Sequence, residues 1–259
     1  MKIIIHPAAV VSDKARLEEG VEVGPFSVIG EEVTLRKGVC VANGATIIGK
    51  TEIGQYTKIF SGAVIGSPPQ DLKFKGGDSF LEIGEHNTIR EFVTINPGTG
   101  QGSKTKIGDN NLFMAYSHIA HDCQVGSRCI FANNATLAGH VHVDSDVVIG
   151  GLSAVHQFVR IGRLAIIGGC SKVVQDVPPF STCDGHPAKV FGINYVCLKR
   201  SKTSPEVMRK LRRAFKILFH SQLTMSHAIT LLREEFIVMP EELRYLIDFV
   251  SSTKRGIGR

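Results

Sequence analysis

Hydrophobic residues recur at every sixth position of the chain from Ile5 to Val173. Of the twenty-nine positions in this series, twenty-four are Ile, Val or Leu and two are Phe. A period of six is a multiple of the strand period of two and not of the helical period of 3.6, so the series predicts extended chain. Three positions break the series, and they fall in two segments that look like insertions, 66–82 and 96–106: Asp71, Gly77 and Gln101.

One aliphatic residue per six residues indicates a coil of short strands and turns, in which three hexads close a triangular turn. The sequence therefore predicts a parallel β-helix of about nine coils, rising roughly 4.8 Å per coil. Residues two before each aliphatic position are small or β-branched, and we expect them to point inward: Val21, Ser27, Val33, Val39, Ala45, Thr51, Thr57 and Ala63. Glycines often follow the aliphatic residue, where we expect tight or positive-φ turns: Gly24, Gly30, Gly54, Gly66, Gly84, Gly108, Gly126, Gly150, Gly162 and Gly168.

The pattern changes to a helical one after the series stops at Pro178-Pro179. Ser204-Pro205-Glu206 is a helix start signal, with a capping side chain followed by Pro at the first helical position. Further helices are expected at about 225–236 and 240–252, and they would cap one open end of the solenoid. The sequence thus predicts two domains, a β-helix over 1–191 and a helical domain over 192–259.

The net charge of +6 is uneven along the chain. Residues 192–259 carry thirteen Lys and Arg against six Asp and Glu, which is +7 and leaves −1 for the rest. This basic tail is either a solvated helix face or a docking surface for an acidic partner, such as a phosphate-bearing ligand or an acidic carrier protein. Nucleic acid is not expected as a partner, because Trp is absent and the prism offers no aromatic stacking platform.

The cysteine pattern and the hydropathy indicate a cytoplasmic protein. The six cysteines form no C-x-x-C pair, and Cys123 and Cys129 are expected to be reduced core residues. The apolar run at the N-terminus is too short for a signal peptide. No stretch approaches the length of a membrane span, so we expect no stable membrane insertion.

Candidate chemistry collects at one corner of the predicted prism. When the three faces are counted in turn, the segments 66–82 and 96–106 leave the same corner, one coil apart. Ile119, Leu137 and Val155 lie on the face that ends there, on three successive coils. The residues beside them include four histidines: His118, His121, His140 and His156, the last followed by Gln157.

His121 is followed directly by Asp122, and a carboxylate can fix an imidazole tautomer and stabilise its protonated form. His121 is therefore the candidate general base, and His118 is either structural or a substrate contact. Because Cys123 should point inward, direct attack by a substrate hydroxyl is favoured over a covalent intermediate.

The same corner offers residues for two other kinds of site. His118, His121, His140 and His142 could hold zinc, as in carbonic anhydrases built on the same prism, but no fixed ligand spacing supports this and we predict no metal. The glycine-rich segment 98–102 lacks the strand-to-helix context of a phosphate loop, so we expect a mobile insertion.

Six segments of the chain carry a family resemblance: His118-Ile-Ala-His121-Asp122-Cys123, Asn133-Asn134-Ala135-Thr136-Leu137-Ala138-Gly139-His140-Val141, Gln70-Asp71-Leu72-Lys73, Ala154-Val155-His156-Gln157-Phe158, Gln175-Asp176-Val177-Pro178-Pro179 and Leu198-Lys199-Arg200. In these segments the chain resembles the UDP-N-acetylglucosamine O-acyltransferases that begin lipid A synthesis. The resemblance covers essentially the whole chain, helical tail included.

The resemblance implies a left-handed parallel β-helix with a C-terminal helical domain, assembled as a homotrimer with sites between subunits. It implies transfer of a fatty acyl chain from acyl carrier protein to the 3-hydroxyl of UDP-N-acetylglucosamine, without a cofactor. His121 would be the base, Asp122 would orient it, and the Gly139 N–H would stabilise the oxyanion. Gly169 matches the position that limits acyl length, and Gly there implies a chain of about fourteen carbons. The residues that would bind the sugar nucleotide and acyl donor are Lys73, His118, His140, His156, Gln157, Asn194 and Arg200.

The chain also departs from the family pattern. Asn96-Pro97 replaces a His-Arg pair, Val196 stands where some members carry Glu, and 185–188 is a variant Gly-His-Pro-Ala segment. These differences leave open the nucleotide contacts and the need for a 3-hydroxyl on the donor. The sequence also leaves open whether the acceptor atom is O or N. The alternatives are an acetyl-CoA-dependent sugar-nucleotide acetyltransferase, a zinc hydratase and a non-catalytic repeat scaffold, although a scaffold predicts a uniform series without insertions.

Overall fold

The protein is a three-sided parallel β-helix closed at one end by helices. The structure, a computed structural model, describes residues 2–259. Within that range the strands form three sheets of 11, 9 and 8 strands. Nearly all strands are two residues long, as expected when each hexad holds one strand and one turn.

The three sheets are named here in the order in which the chain enters them. The first sheet consists of Ile4–Ile5, Glu22–Val23, Cys40–Val41, Lys58–Ile59, Thr88–Ile89, Leu112–Phe113, Ile130–Phe131, Val148–Ile149, Ile166–Ile167, Ser181–Gly185 and Ala188–Ile193. The second sheet consists of Val10–Val11, Val28–Ile29, Thr46–Ile47, Val64–Ile65, Thr94–Ile95, His118–Ile119, Thr136–Leu137, Ala154–Val155 and Lys172–Val173. The third sheet consists of Arg16–Leu17, Thr34–Leu35, Lys50–Ile53, Phe80–Ile83, Lys104–Ile107, Gln124–Val125, His142–Val143 and Arg160–Ile161.

The six-residue series forms the core of the prism. Residues one coil apart pair in register, as Ile65 does with Ile95 and Ile95 with Ile119. Phe113 and Phe131 stack inside the prism with ring centroids 4.8 Å apart. The inward prediction for the small residues is confirmed, because all eight from Val21 to Ala63 are buried.

Of the ten glycines, only Gly66 has the expected positive φ, at +81°. The others are required by the close stacking of coils, since a Cβ on Gly54 would lie 2.4 Å from the carbonyl carbon of Gly84. The left-handed turn residue instead stands three after the aliphatic position, as at Asp122 and His140, both with φ 59°.

Both insertions leave the corner between the second and third sheets, as the hexad count predicted. The chain leaves Ile65 and Ile95 in the second sheet and returns to paired strands of the third sheet, Phe80–Ile83 and Lys104–Ile107. The two irregular segments therefore lie next to each other on one edge.

Four helices follow the last coil: α1 (Tyr195–Arg200), α2 (Pro205–His220), α3 (Met225–Glu235) and α4 (Glu241–Ser251). The start predicted at Ser204 is confirmed, because its side chain accepts a hydrogen bond from the Val207 N–H and Pro205 is the first helical residue. The predicted domain boundary at 191/192 falls inside the strand Ala188–Ile193. None of the helices in residues 2–259 combines the length and apolar character needed to cross a membrane.

The helical segment covers the C-terminal end of the prism. Thr253 donates a hydrogen bond to Asp176, and Arg160 donates to Ser252. The aliphatic residue of the last third-sheet strand, Ile161, is fully buried, whereas Ile5 in the first coil is 44% exposed. The helices therefore cap one end of the solenoid, and the described N-terminal coil leaves the other end open.

Candidate active site

The corner between the second and third sheets carries both insertions and is called the loop edge. His118 lies in the second-sheet strand His118–Ile119, and His121 and Asp122 lie in the turn that follows. Gly139 and His140 occupy the same turn one coil further on. His156 and Gln157 occupy the turn after that, so the predicted residues of the loop edge lie on three successive coils.

The side chain of His121 is hydrogen-bonded to that of the next residue, Asp122. Its Nδ1 lies 2.9 Å from Oδ2 of Asp122, and the two side chains are only 14% and 11% exposed. Asp122 itself has the left-handed turn conformation, with φ 59°. When Nδ1 carries the proton that this hydrogen bond requires, the lone pair is on Nε2, the atom that a general base needs. Nε2 faces Asp71 of the first insertion, whose Oδ2 is 3.9 Å away.

Asp122 is held in its charged form. Burial by itself raises the pKa of Asp122, but hydrogen bonds from Thr99 and His121 outweigh it and the pKa is lowered. The Thr99 hydroxyl lies 2.7 Å from Oδ2 and the Thr99 N–H lies 3.2 Å from the same oxygen. Sequence reasoning identified neither Thr99 nor Asp71 as an interacting partner of this pair.

The His121 ring lies directly over Gly139. A Cβ on Gly139 would be 2.3 Å from Cε1 of His121, so a larger residue would displace the ring. At equivalent turn positions side-chain oxygens accept the backbone N–H, as Asp109 does from Glu85 and Ser127 does from Asp109. Within residues 2–259 the Gly139 N–H has no such acceptor, which leaves it available to a substrate oxygen.

His118 lies near His121 and is a neutral imidazole. Its Nδ1 is 2.6 Å from the hydroxyl of Thr94. Burial lowers the pKa of His118, and the nearby His121 lowers it further. A neutral imidazole here can hydrogen-bond without repelling a protonated His121.

The remaining predicted residues of this edge lie on the next two coils and in the first insertion. His140 stacks on Phe158 with centroids 4.6 Å apart and meets His121 edge-on at 5.2 Å. His156 and Gln157 are exposed. Lys73 is exposed in the first insertion, where its N–H donates to Asp71.

Three predicted residues lie away from this edge within one chain. Asn194 is buried as the N-cap of α1, where its oxygen accepts from the Cys197 N–H and its amide donates to the Leu164 carbonyl. Arg200 is exposed at the end of α1, and Gly169 is exposed at the corner between the first and second sheets. A single chain does not bring these residues to His121.

Asn96 and Val196, where the chain departs from the family pattern, occupy different environments. Asn96 is buried and its amide donates to the carbonyls of Ser67 and Pro68, so it ties together the starts of the two insertions. Val196 is 56% exposed on α1.

A metal ion would find its ligands at this corner in His121, Asp122 and His140, whose ligand atoms lie within 4.8 Å of one another. The four-histidine zinc set is not assembled, because His142 lies in the third sheet and is bonded to Asp144 at 3.0 Å. The Nδ1 of His121 is also already bonded to Asp122. This arrangement favours a base over a metal ligand, and a site without metal stays our prediction.

Comparisons with known proteins show which family the chain belongs to. A family model described as "Udp N-acetylglucosamine O-acyltransferase; Domain 2" matches residues 176–258, and one for six bacterial transferase hexapeptide repeats matches 104–139. Two curated relatives are named acyl-[acyl-carrier-protein]–UDP-N-acetylglucosamine O-acyltransferase. The one from Thermodesulfovibrio yellowstonii is 48% identical over 98% of this chain and 99% of its own length. The one from a Janthinobacterium species is 46% identical over 99% of each chain. The chain belongs to this family.

Solved structures of the family share the whole fold. The LpxA structure from Acinetobacter baumannii is 41% identical with a TM-score of 0.95, covering 99% of this chain and 100% of its own. The UDP-N-acetylglucosamine acyltransferase from Campylobacter jejuni is 40% identical with a TM-score of 0.91, covering 98% of each chain. The predicted fold class, a left-handed parallel β-helix with a C-terminal helical domain, is thereby confirmed.

Proposed function

We propose that the protein transfers a long acyl chain from acyl carrier protein to the 3-hydroxyl of UDP-N-acetylglucosamine, the first step of lipid A synthesis. The observation that carries the proposal is the Asp122-bound His121 at the loop edge, beside the unpaired N–H of Gly139. The names of the curated relatives, which specify this donor and this acceptor, support it.

The reaction is a single acyl transfer. Nε2 of His121 takes the proton from the sugar hydroxyl as its oxygen attacks the thioester carbonyl. The Gly139 N–H donates to the oxyanion, a contribution of about 3 kcal/mol to the transition state. Collapse of the intermediate breaks the C–S bond, and the proton passes from His121 to the departing thiolate. Asp122 remains ionised throughout and stabilises the protonated imidazole.

Cys123 does not serve as a covalent nucleophile in this scheme. It is fully buried, and its thiol lies 3.2 Å from the carbonyl oxygen of Ala138. Burial raises the pKa of the Cys123 thiol to about 12, so the reactive thiolate is scarce at neutral pH. Direct attack by the acceptor hydroxyl is the simpler route.

The substrate contacts are proposed to come from two copies of the chain in a homotrimer. Lys73, His118, His140, His156 and Gln157 would contact substrates from the copy that supplies His121. Asn194 and Arg200 would reach the same cleft from a neighbouring copy, because they lie at other corners of their own chain. Acyl carrier protein brings the acyl group, and no cofactor is required.

Gly169 is proposed to leave the acyl groove open. A Cβ at this position would lie 3.3 Å from the carbonyl oxygen of Gly151, so the backbone leaves little room for a side chain except outward. An outward side chain would shorten the groove. Glycine therefore favours a long chain of about fourteen carbons.

The reaction is proposed to take place in the cytoplasm. All six cysteines are free, including the exposed Cys170. Unpaired cysteines are typical of a reducing compartment.

Replacement of His121 tests the mechanism. His121→Ala should lower kcat for acyl transfer by roughly a thousandfold, as expected for loss of a general base. His86→Ala is the matched control, because His86 is a turn histidine that stacks on Tyr56 away from the loop edge, and it should retain activity. A folded His121→Ala protein with a near-wild-type rate would remove His121 from the mechanism.

A further inference from the structure

The second insertion forms a turn that is hydrogen-bonded to the first insertion. The Gly102 N–H donates to the Asp78 carbonyl at 2.7 Å, and the Gly98 N–H donates to the Phe80 carbonyl at 3.3 Å. Gln101 accepts a hydrogen bond from the Asp78 N–H at 3.1 Å. The turn is thus fixed to the end of the first insertion.

This turn places Thr99 on the carboxylate of Asp122. Oδ2 of Asp122 accepts from the Thr99 hydroxyl at 2.7 Å, from the Thr99 N–H at 3.2 Å and from His121 Nδ1 at 2.9 Å. Gly98 makes the approach possible, since a Cβ there would lie 2.3 Å from Oγ of Ser103. The hydroxyl and the backbone N–H of Thr99 therefore bond the same Asp122 oxygen as the candidate base, His121.

Asp122 has a second histidine within reach. Nε2 of His140 lies 3.8 Å from the same Oδ2. A modest rotation of the carboxylate would exchange His121 for His140 as its partner. The Thr99 hydroxyl opposes that rotation, because it bonds Oδ2 in the orientation that also bonds His121.

We propose that Thr99 is a positioning residue that acts through Asp122 to orient the His121 base. The proposal rests on the proposed function for its assay. The Thr99 hydroxyl touches no reacting atom in this scheme, and its effect is to keep Asp122 on Nδ1 of His121 so that Nε2 faces the acceptor hydroxyl.

The test combines a conservative pair of variants with a double-mutant cycle. Thr99→Val removes the hydroxyl, keeps the shape and the N–H, and should lower kcat about tenfold with KM for both substrates within about twofold. Thr99→Ser retains the hydroxyl and should restore kcat to within about threefold of wild type. In an Asp122→Asn background, Thr99→Val should lower kcat by less than about twofold, because the residue it acts through is already changed.

Thr105→Val is the matched control. Thr105 is fully buried in the strand after the same insertion, and its hydroxyl has no partner within the described chain. It should retain wild-type kcat.

The outcomes separate the two proposals. A wild-type protein without acyl transfer would contradict the proposed function. An active wild-type protein would contradict the role of Thr99 if Thr99→Val kept full kcat, if Thr99→Ser failed to restore it, or if the loss were the same tenfold in the Asp122→Asn background.

Discussion

Two half-buried ionisable residues of the loop edge, Asp122 and His118, are held in opposite charge states. Hydrogen bonds from Thr99 and His121 overcome the effect of burial and lower the pKa of Asp122, so it is charged. His118 has only a hydroxyl partner, and burial lowers its pKa, so it is neutral. A charged Asp122 and a neutral His118 suit His121 as a base, because it can accept a proton without a second cation beside it.

The neutral state of His118 predicts acid sensitivity. Its pKa is lower in the folded than in the unfolded protein, so the unfolded chain binds this proton first as the pH falls below about 6.5. The stability that His118 contributes is therefore lost as pH falls through that region. Asp122 does not contribute there, because its lowered pKa affects stability only below about pH 4.

His118→Gln keeps a polar side chain beside Thr94 and cannot titrate. At a fixed protein concentration, its thermal midpoint should fall less than that of wild type between about pH 7.5 and pH 5. Equal falls in the two proteins would contradict the neutral assignment of His118.

Residue-scale prediction succeeded where neighbours in sequence are also neighbours in space. His121 and Asp122 are adjacent, so their pairing could be predicted from the sequence. Thr99 and Asp71 contact them through the conformations of two insertions, which no period describes. Asn194 was assigned to substrate from the family resemblance, whereas within one chain its side chain caps α1.

The strand positions could be predicted from the sequence, whereas the left-handed turns and the short helix α1 could not. The six-residue series gave the strand positions, the three sheets and the shared corner of the insertions, because pairing in register repeats the same environment on every coil. The same series misplaced the left-handed turns, since glycine is needed for coil spacing at Gly54 and not for its φ. Short α1 was not predicted, because it has too few residues to show a helical period.

Helix α2 presents a basic row beside an apolar groove. Arg209, Arg212 and Lys216 are exposed and form no ion pair within residues 2–259. Lys210 and Arg213, in contrast, are paired with Glu206 and Glu235. The groove beside the row measures about 260 Å³, and its lining includes Ile193, Tyr195, Met208, Arg209 and Arg212. Unpaired cations around an apolar groove suit an acidic partner such as acyl carrier protein.

Charge reversal at Arg212 should weaken the binding of the donor, acyl carrier protein. Arg212→Glu is expected to raise KM for acyl carrier protein several-fold and to reduce its dependence on salt, with kcat little changed, because the charge assists encounter and not chemistry. Lys210→Glu carries the same charge change on the same helix outside the groove. If it raised KM as much as Arg212→Glu, net charge and not the groove would be responsible.

Across the whole molecule, the residues proposed for catalysis and those proposed for substrate specificity lie at different corners of one chain. His121 lies at the loop edge, whereas Gly169 lies at the corner between the first and second sheets, and Asn194 donates a hydrogen bond to the Leu164 carbonyl between the third and first. A symmetric assembly can bring unlike corners of neighbouring copies together. This is the physical argument for the proposed homotrimer.

Acyl transfer from acyl carrier protein to UDP-N-acetylglucosamine can be tested by a single product assay. The protein is incubated with UDP-N-acetylglucosamine, acyl carrier proteins of mixed chain length with and without a 3-hydroxyl, and acetyl-CoA, and the product mass is determined. We predict a UDP-N-acetylglucosamine ester of a single long chain, near fourteen carbons, drawn from acyl carrier protein. A product acetylated from acetyl-CoA, or no acylated nucleotide sugar from a folded protein, would contradict the account.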